Sequence, residues 1–77
     1  MVSAYVLVSV EPGKNREVAS TLRSVPGVKQ VHICWGQPDI FAFVEVADER
    51  TLSTTVLGSI QGTRGIRATD THIVIAE

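Results

Sequence analysis

Cysteine is almost absent: Cys34 stands alone in 77 residues, so no internal disulfide can form and the stapled frameworks of small exported domains are excluded. A reducing, cytoplasmic setting is expected. An excess of either charge is missing too, because seven basic residues face eight acidic ones and neither sign gathers into a stripe. Direct nucleic-acid binding and attachment to an anionic membrane are therefore not expected. No apolar run approaches the roughly 20 residues that cross a bilayer, and the N-terminus lacks a basic segment followed by an apolar stretch and a cleavage site. Nothing marks the chain for export. Aromatic residues number only four, Tyr5, Trp35, Phe41 and Phe43, so where they fall is informative.

The length is close to the lower limit at which one hydrophobic core holds a domain without staples. One domain over residues 1–77 is expected, and burial of further surface against a second copy with it.

Ala4 to Val10 is rich in β-branched residues and stops at Pro12-Gly13, which predicts a strand and a turn. Val18, Leu22 and Val25 then recur at helical spacing between Lys14 and Val25, ahead of Pro26-Gly27. Val28 to Trp35 alternates and predicts a second strand; Ile40 to Val46 predicts a third, paired with it as a hairpin across Gly36-Gln37-Pro38-Asp39. Asp48 is placed to cap a second helix running to about Gln61, with Leu52, Val56 and Ile60 on one face. Gly62 and Gly65 break the chain before a last strand within Arg67 to Ala76. The doubled strand-helix-strand order predicts an α+β fold of the ferredoxin-like βαββαβ type. Right-handed crossovers in that fold set two helices on one face of a four-stranded antiparallel sheet.

A sheet with one face in water should alternate apolar and polar residues, yet these strands are apolar on both faces. Ala4, Val6, Val8 and Val10 share one side, leaving Tyr5 and Leu7 on the other; Ile40, Ala42, Val44 and Val46 likewise oppose Phe41 and Phe43. Tyr5, Leu7, Phe41 and Phe43 are thus expected to form a dimer interface, the blander reading being aromatics tolerated at the surface.

Chemistry-bearing residues are sparse. His32 and Cys34 fall on one strand face, but no CxxC or HxxxH spacing accompanies them and no acidic residues converge, so no metal or cofactor is expected. A thiolate nucleophile at Cys34 would need a base, and a neighbour two residues along a strand supplies one poorly. No catalytic site is expected. Trp35-Gly36-Gln37-Pro38-Asp39 is more informative: glycine frees backbone amides, and an ionised aspartate accepts hydrogen bonds from an ammonium group. Such a loop is equally an ordinary turn in which Asp39 satisfies backbone donors. Thr69, Asp70 and Thr71 add hydroxyl and carboxylate groups near the last strand.

In this order, the strand Ala4 to Val8, Pro26-Gly27-Val28, Gly36-x-x-Asp39-Ile40, Gly65-Ile66 and Thr69-x-Thr71 resemble the effector-binding (RAM) domain of the Lrp/AsnC family of transcription regulators. The resemblance covers essentially the whole chain. It implies a stand-alone module without the family's helix-turn-helix domain, since the first strand follows Met1 almost at once. It further implies a homodimer packed sheet to sheet, assembly of dimers toward an octamer, and a small amino acid bound between dimers. Residue by residue, it carries effector binding to Trp35, Gly36, Gln37 and Asp39 of the loop and to Thr69 and Thr71, with Asp39 taking the ammonium. Trp35 and Pro38 depart from the family's common pattern, which bears on ligand choice.

The expected function is a ligand-responsive oligomerisation module that modulates full-length Lrp/AsnC regulators by mixed assembly. Two alternatives stand beside it: a small dimeric α/β-barrel enzyme, which needs a polar cavity between sheet and helices, and a purely structural oligomerisation module.

Overall fold

The computed structural model describes residues 1–76. Strand β1 (Val2–Val10) leads to helix α1 (Asn15–Arg23), β2 (Val28–Ile33) and β3 (Ile40–Val46); α2 (Glu49–Thr54) runs straight into a π-helical turn (Thr55–Ile60) before β4 (Ile66–Ile73). The strands form one sheet in the order β2-β3-β1-β4, and every neighbouring pair is antiparallel. This is the ferredoxin-like βαββαβ arrangement. The hydrophobic β1 takes a central place because it can pair on both sides, while the shorter β2 and the more polar β4 form the edges.

Period-two alternation divides the sheet cleanly. Ala4, Val6 and Val8 are fully buried against α1 and the α2 segment, together with Ile40 and Val44, whereas Tyr5 between them is 50% exposed. From the helices come Val18, Ala19, Leu22, Leu52, Val56 and Ile60, completing a single apolar core. Burying each large aliphatic side chain contributes about 1.5–3 kcal/mol, so the faces with most such residues meet each other. Arg23 ties α1 to the outer strand by donating from Nη2 to the Val31 carbonyl at 3.1 Å.

Helix α2 begins as the sequence implies. Asp48 accepts from the Thr51 backbone N–H at 2.7 Å, and hydrogen bonding by the Thr51 side chain and then its backbone holds the Asp48 carboxyl below the usual aspartate range. Its second half differs from a plain α-helix, for Gln61 donates to the carbonyl of Val56, five residues back, at 2.8 Å. Gly58 lies in this stretch and is a weak helix former. Leu52, Val56 and Ile60 nevertheless keep their common buried face.

Boundaries are shorter than the sequence implies in three places. Helix α1 spans Asn15–Arg23 rather than Lys14 to Val25, and β4 stops at Ile73. Strand β2 ends at Ile33 instead of reaching Trp35: the Cys34 N–H donates a last rung to the Asp39 carbonyl, but the Asp39 N–H goes to Val8 instead of returning, and Gly36 adopts a φ of 109°. Trp35 thereby leaves the ladder.

Candidate functional site

The β2–β3 loop folds back over the end of β1. Asp39 anchors it there twice: its backbone N–H donates to the Val8 carbonyl at 3.0 Å, and its carboxylate Oδ1 accepts from the Val10 N–H at 3.4 Å. A half-buried carboxylate thus braces the junction of β1 and β3 with one oxygen. This brace carries Gln37 and Pro38 across to β4, where they enclose a hollow of about 290 Å³ with Leu7, Ser9, Ala68 and Asp70. Thr69 also lines it. The hollow is open and largely apolar, with polar groups at its rim.

The residues singled out from sequence do not all converge here. Gln37 and Thr69 do, and Asp39 holds the loop that delivers Gln37. Trp35 is fully exposed and lines none of these hollows, while Gly36 sits at the tip with open space where a side chain would be. Thr71 pairs with Val6 and so belongs to the helix side of β4, where it lines a second groove of about 480 Å³ with Leu52, Val56, Leu57 and Ile73. Glu49 stands at that groove's far end, and Gln61 donates from Nε2 to Thr69 Oγ1 at 2.9 Å within it. Both hollows share Thr69 and Asp70, so they flank the same edge strand.

Asp70 and Pro38 are lining residues that the sequence reading left outside the site. For Asp70 the signal was strand alternation, which separates it from Thr69 and Thr71 and turns it toward Leu7 on the open face. For Pro38 no local signal exists, since only the fold-back of the loop brings it to β4.

The open face itself is continuous. Tyr5 pairs with Phe43 and with His72 on its two sides; Leu7 pairs with Phe41 and with Asp70. Phe41 is 39% exposed, and a further hollow of about 320 Å³ runs between the aromatic centre and Gln30 and His32 of β2, with Cys34 just beyond the strand's end. On β4, His72 Nε2 lies 3.0 Å from Asp70 Oδ2. Among the described residues no cluster of three or more His, Cys, Asp or Glu side chains is placed to hold a metal ion, and no helix is long and apolar enough to cross a membrane.

A βαββαβ sheet with one helix-covered face, one open apolar face and loop-edged hollows at its β4 edge places the molecule among small α+β domains of the ferredoxin-like class. More narrowly, the family model described as the Lrp/AsnC ligand binding domain matches residues 3–77, and the chain belongs to that family. An uncharacterised HTH-type transcriptional regulator of Pyrococcus furiosus is 38% identical over 71 residues, covering 92% of this chain and 48% of that protein. The chain spans about half the length of the regulators it matches. Among solved structures, a hypothetical protein of Pyrococcus horikoshii is similar over 100% of this chain and 93% of its own, with 32% identity and a TM-score of 0.92. A transcriptional regulator of Neisseria meningitidis, solved as its L-methionine complex, shares the fold with a TM-score of 0.86 at 24% identity, over 99% of this chain and 51% of that one.

Proposed function

We propose that this domain binds a small amino acid where subunits meet and that binding shifts its assembly, through which it modulates transcription regulators of its own family. One observation carries the reading: the loop braced by Asp39 brings Gln37 against Thr69 and Asp70 in a hollow too open to enclose a ligand by itself. A neighbouring subunit closing that hollow would supply the missing walls, and a ligand that fits only the closed state favours assembly by its differential affinity. Family membership supports the ligand class, and the methionine complex of the Neisseria regulator is an instance of it in the same fold. In this reading Asp39 and Asp70 face the ammonium and Gln37 and Thr69 serve the polar groups, while Gly36 and Trp35, outside the hollow at the loop tip, meet the ligand only from a neighbouring subunit. Thr71 lines the groove on the helix side of β4 and lies outside this hollow.

The homodimer through Tyr5, Leu7, Phe41 and Phe43 belongs to the same proposal, as does the further joining of dimers toward an octamer. A barrel-type enzyme is disfavoured by the packing: Val, Leu, Ile and Ala side chains fill the centre between sheet and helices, and the groove between the α2 segment and β4 is open and mostly apolar.

Calorimetry and sedimentation with the twenty amino acids at millimolar concentration test the proposal. Binding heat and a ligand-dependent change of mass, both weakened in Gln37→Ala, are expected. Asp39→Asn serves as a second variant that keeps the brace's shape while removing charge. An assembly state indifferent to every amino acid, with no binding heat, overturns the sensor reading in favour of a structural module.

A further inference from the structure

The two edges of the sheet present different charges to an incoming chain. Along β4, Arg67 and Asp70 put both signs on one strand. The β2 edge carries cations alone. Arg23, the last residue of α1, lines a hollow of about 450 Å³ there with Lys29, Gln30 and His32 of β2. No acidic residue occurs between Glu17 and Asp39, and among the described residues neither Arg23 nor Lys29 forms a salt bridge. Glu45, whose N–H bonds the Gly27 carbonyl beside this edge, has its Oε2 engaged by Ser3 Oγ at 3.4 Å. Two permanent cations thus stand without a counter-charge.

The main chain of this edge is open as well. The rung from the Cys34 N–H to the Asp39 carbonyl fixes the alternation of the ladder, so His32 bonds with Phe41 while Val31 and Ile33 turn their N–H and C=O groups outward. Arg23 agrees with that geometry, since its Nη2 reaches the Val31 carbonyl at 3.1 Å. This bond holds the guanidinium at the edge and leaves its other N–H donors for a carboxylate. The register shifts between Val28 and Gln30, which leaves Lys29 without a partner on β3 and bounds the usable stretch. Ile33, 39% exposed, adds an apolar contact at its other end.

We propose that the β2 edge from Lys29 to Ile33 accepts an extended acidic segment of a partner protein as an added strand, with its main chain on Val31 and Ile33 and its carboxylates on Arg23 and Lys29. Charges and bulges at a strand edge also keep chains off. Here the guard is selective. A second copy pairing β2 to β2 would bring like charges together, whereas an acidic strand meets attraction at the same positions. A free anion is a poorer occupant, because it leaves the outward groups of Val31 and Ile33 to water. Nucleic acid cannot continue the ladder, and two fixed cations neutralise too few phosphates to hold it. This edge lies across the sheet from β4, so the inference is independent of the ligand hollow.

An amide-resolved NMR titration of the whole chain with a capped peptide of alternating glutamate and valine provides the test, with folding followed by circular dichroism. Expected are shifts and exchange protection of the Val31 and Ile33 amides, with a change in fluorescence of Trp35, the single tryptophan, just beyond the strand. Binding should weaken about tenfold in Lys29→Glu and fall steeply with salt. A lysine–valine peptide should ignore the parent chain and gain binding to Lys29→Glu. The acidic peptide methylated at alternate backbone nitrogens keeps its carboxylates, cannot pair, and should lose its binding. Equal binding of that methylated peptide, or of inorganic phosphate, overturns strand addition in favour of a plain anion site. Tighter binding of a short single-stranded DNA overturns it in favour of nucleic acid. Amides of Val31 and Ile33 that do not respond, or affinity unchanged in Lys29→Glu, remove the proposal outright.

Discussion

Tyr5 and Phe43 face each other across neighbouring strands with ring centroids 5.0 Å apart and planes inclined at 54°, on the sheet side that no helix covers. A tilted aromatic pair contributes about 0.5–1.5 kcal/mol beyond its burial, but water on its outer side forfeits most of what covering it would add. Replacing both by serine should leave the monomer folded, because the core lies on the opposite face. Self-association measured by sedimentation should weaken at least tenfold. Undiminished association of the double variant would mean that the interface lies elsewhere.

Core substitutions should behave in the opposite way. Leu22 and Ile60 are fully buried where α1 and the π-helical turn meet the sheet, whereas Leu57 on the same turn is 62% exposed. Leu22→Ala and Ile60→Ala should each cost about 2–5 kcal/mol in urea unfolding at fixed protein concentration. Leu57→Ala should change stability by less than about 0.5 kcal/mol. Equal losses at all three positions would show that Leu57 is covered in solution.

Two glycines separate backbone strain from crowding. Gly36 has a φ of 109° with nothing within 4 Å of an added Cβ; Gly65 has a φ of 98° and a Cβ there would stand 3.1 Å from Val18 Cγ2. Gly36→Ala should lose about 1–2 kcal/mol, the left-handed penalty alone. Gly65→Ala should lose about 1–3 kcal/mol more, because Val18 is buried and has little room to yield. Chemical denaturation of the two variants side by side checks the order.

Acid should uncap α2. Since the Asp48 carboxyl is held below its ordinary range by Thr51, its contribution is present above the unfolded-state value near 4 and disappears as pH falls through the lower folded value. Asp48→Ala should therefore lower the melting temperature at neutral pH and converge with the parent in strong acid. Asp48→Asn should keep most of the cap with a flatter acid profile. A constant gap between parent and Asp48→Ala at every pH would remove the charge from the account.

Much of this architecture is local in origin. Val6 and Val8 against Tyr5 and Leu7 define the two faces of β1 by alternation, and the Asp48 cap with Leu52, Val56 and Ile60 defines where α2 starts and which side it buries. Such signals depend on side-chain periods of 2.0 and 3.6, which the chain carries without reference to its fold. The switch to π-helical turns after Thr54 is not periodic in that way. The same residues stay buried through it, so hydropathy alone could not distinguish the two helices.

The site divides along the same line. A loop of Gly36, Gln37, Pro38 and Asp39 was legible as a candidate because turn chemistry is written in consecutive residues. That Asp39 spends one oxygen on Val10, that Pro38 reaches β4, that Trp35 points away and that Thr71 serves a different groove from Gln37 were decided only by tertiary structure. The order of strands and the pairing of Leu7 with both Phe41 and Asp70 also arise between residues far apart in the chain. Sequence by itself determined which residues are apolar, which way each strand faces and where the chain can turn, because those are properties of neighbours. Which groups share a hollow depends on the pairing of distant strands, and only the folded sheet sets that register.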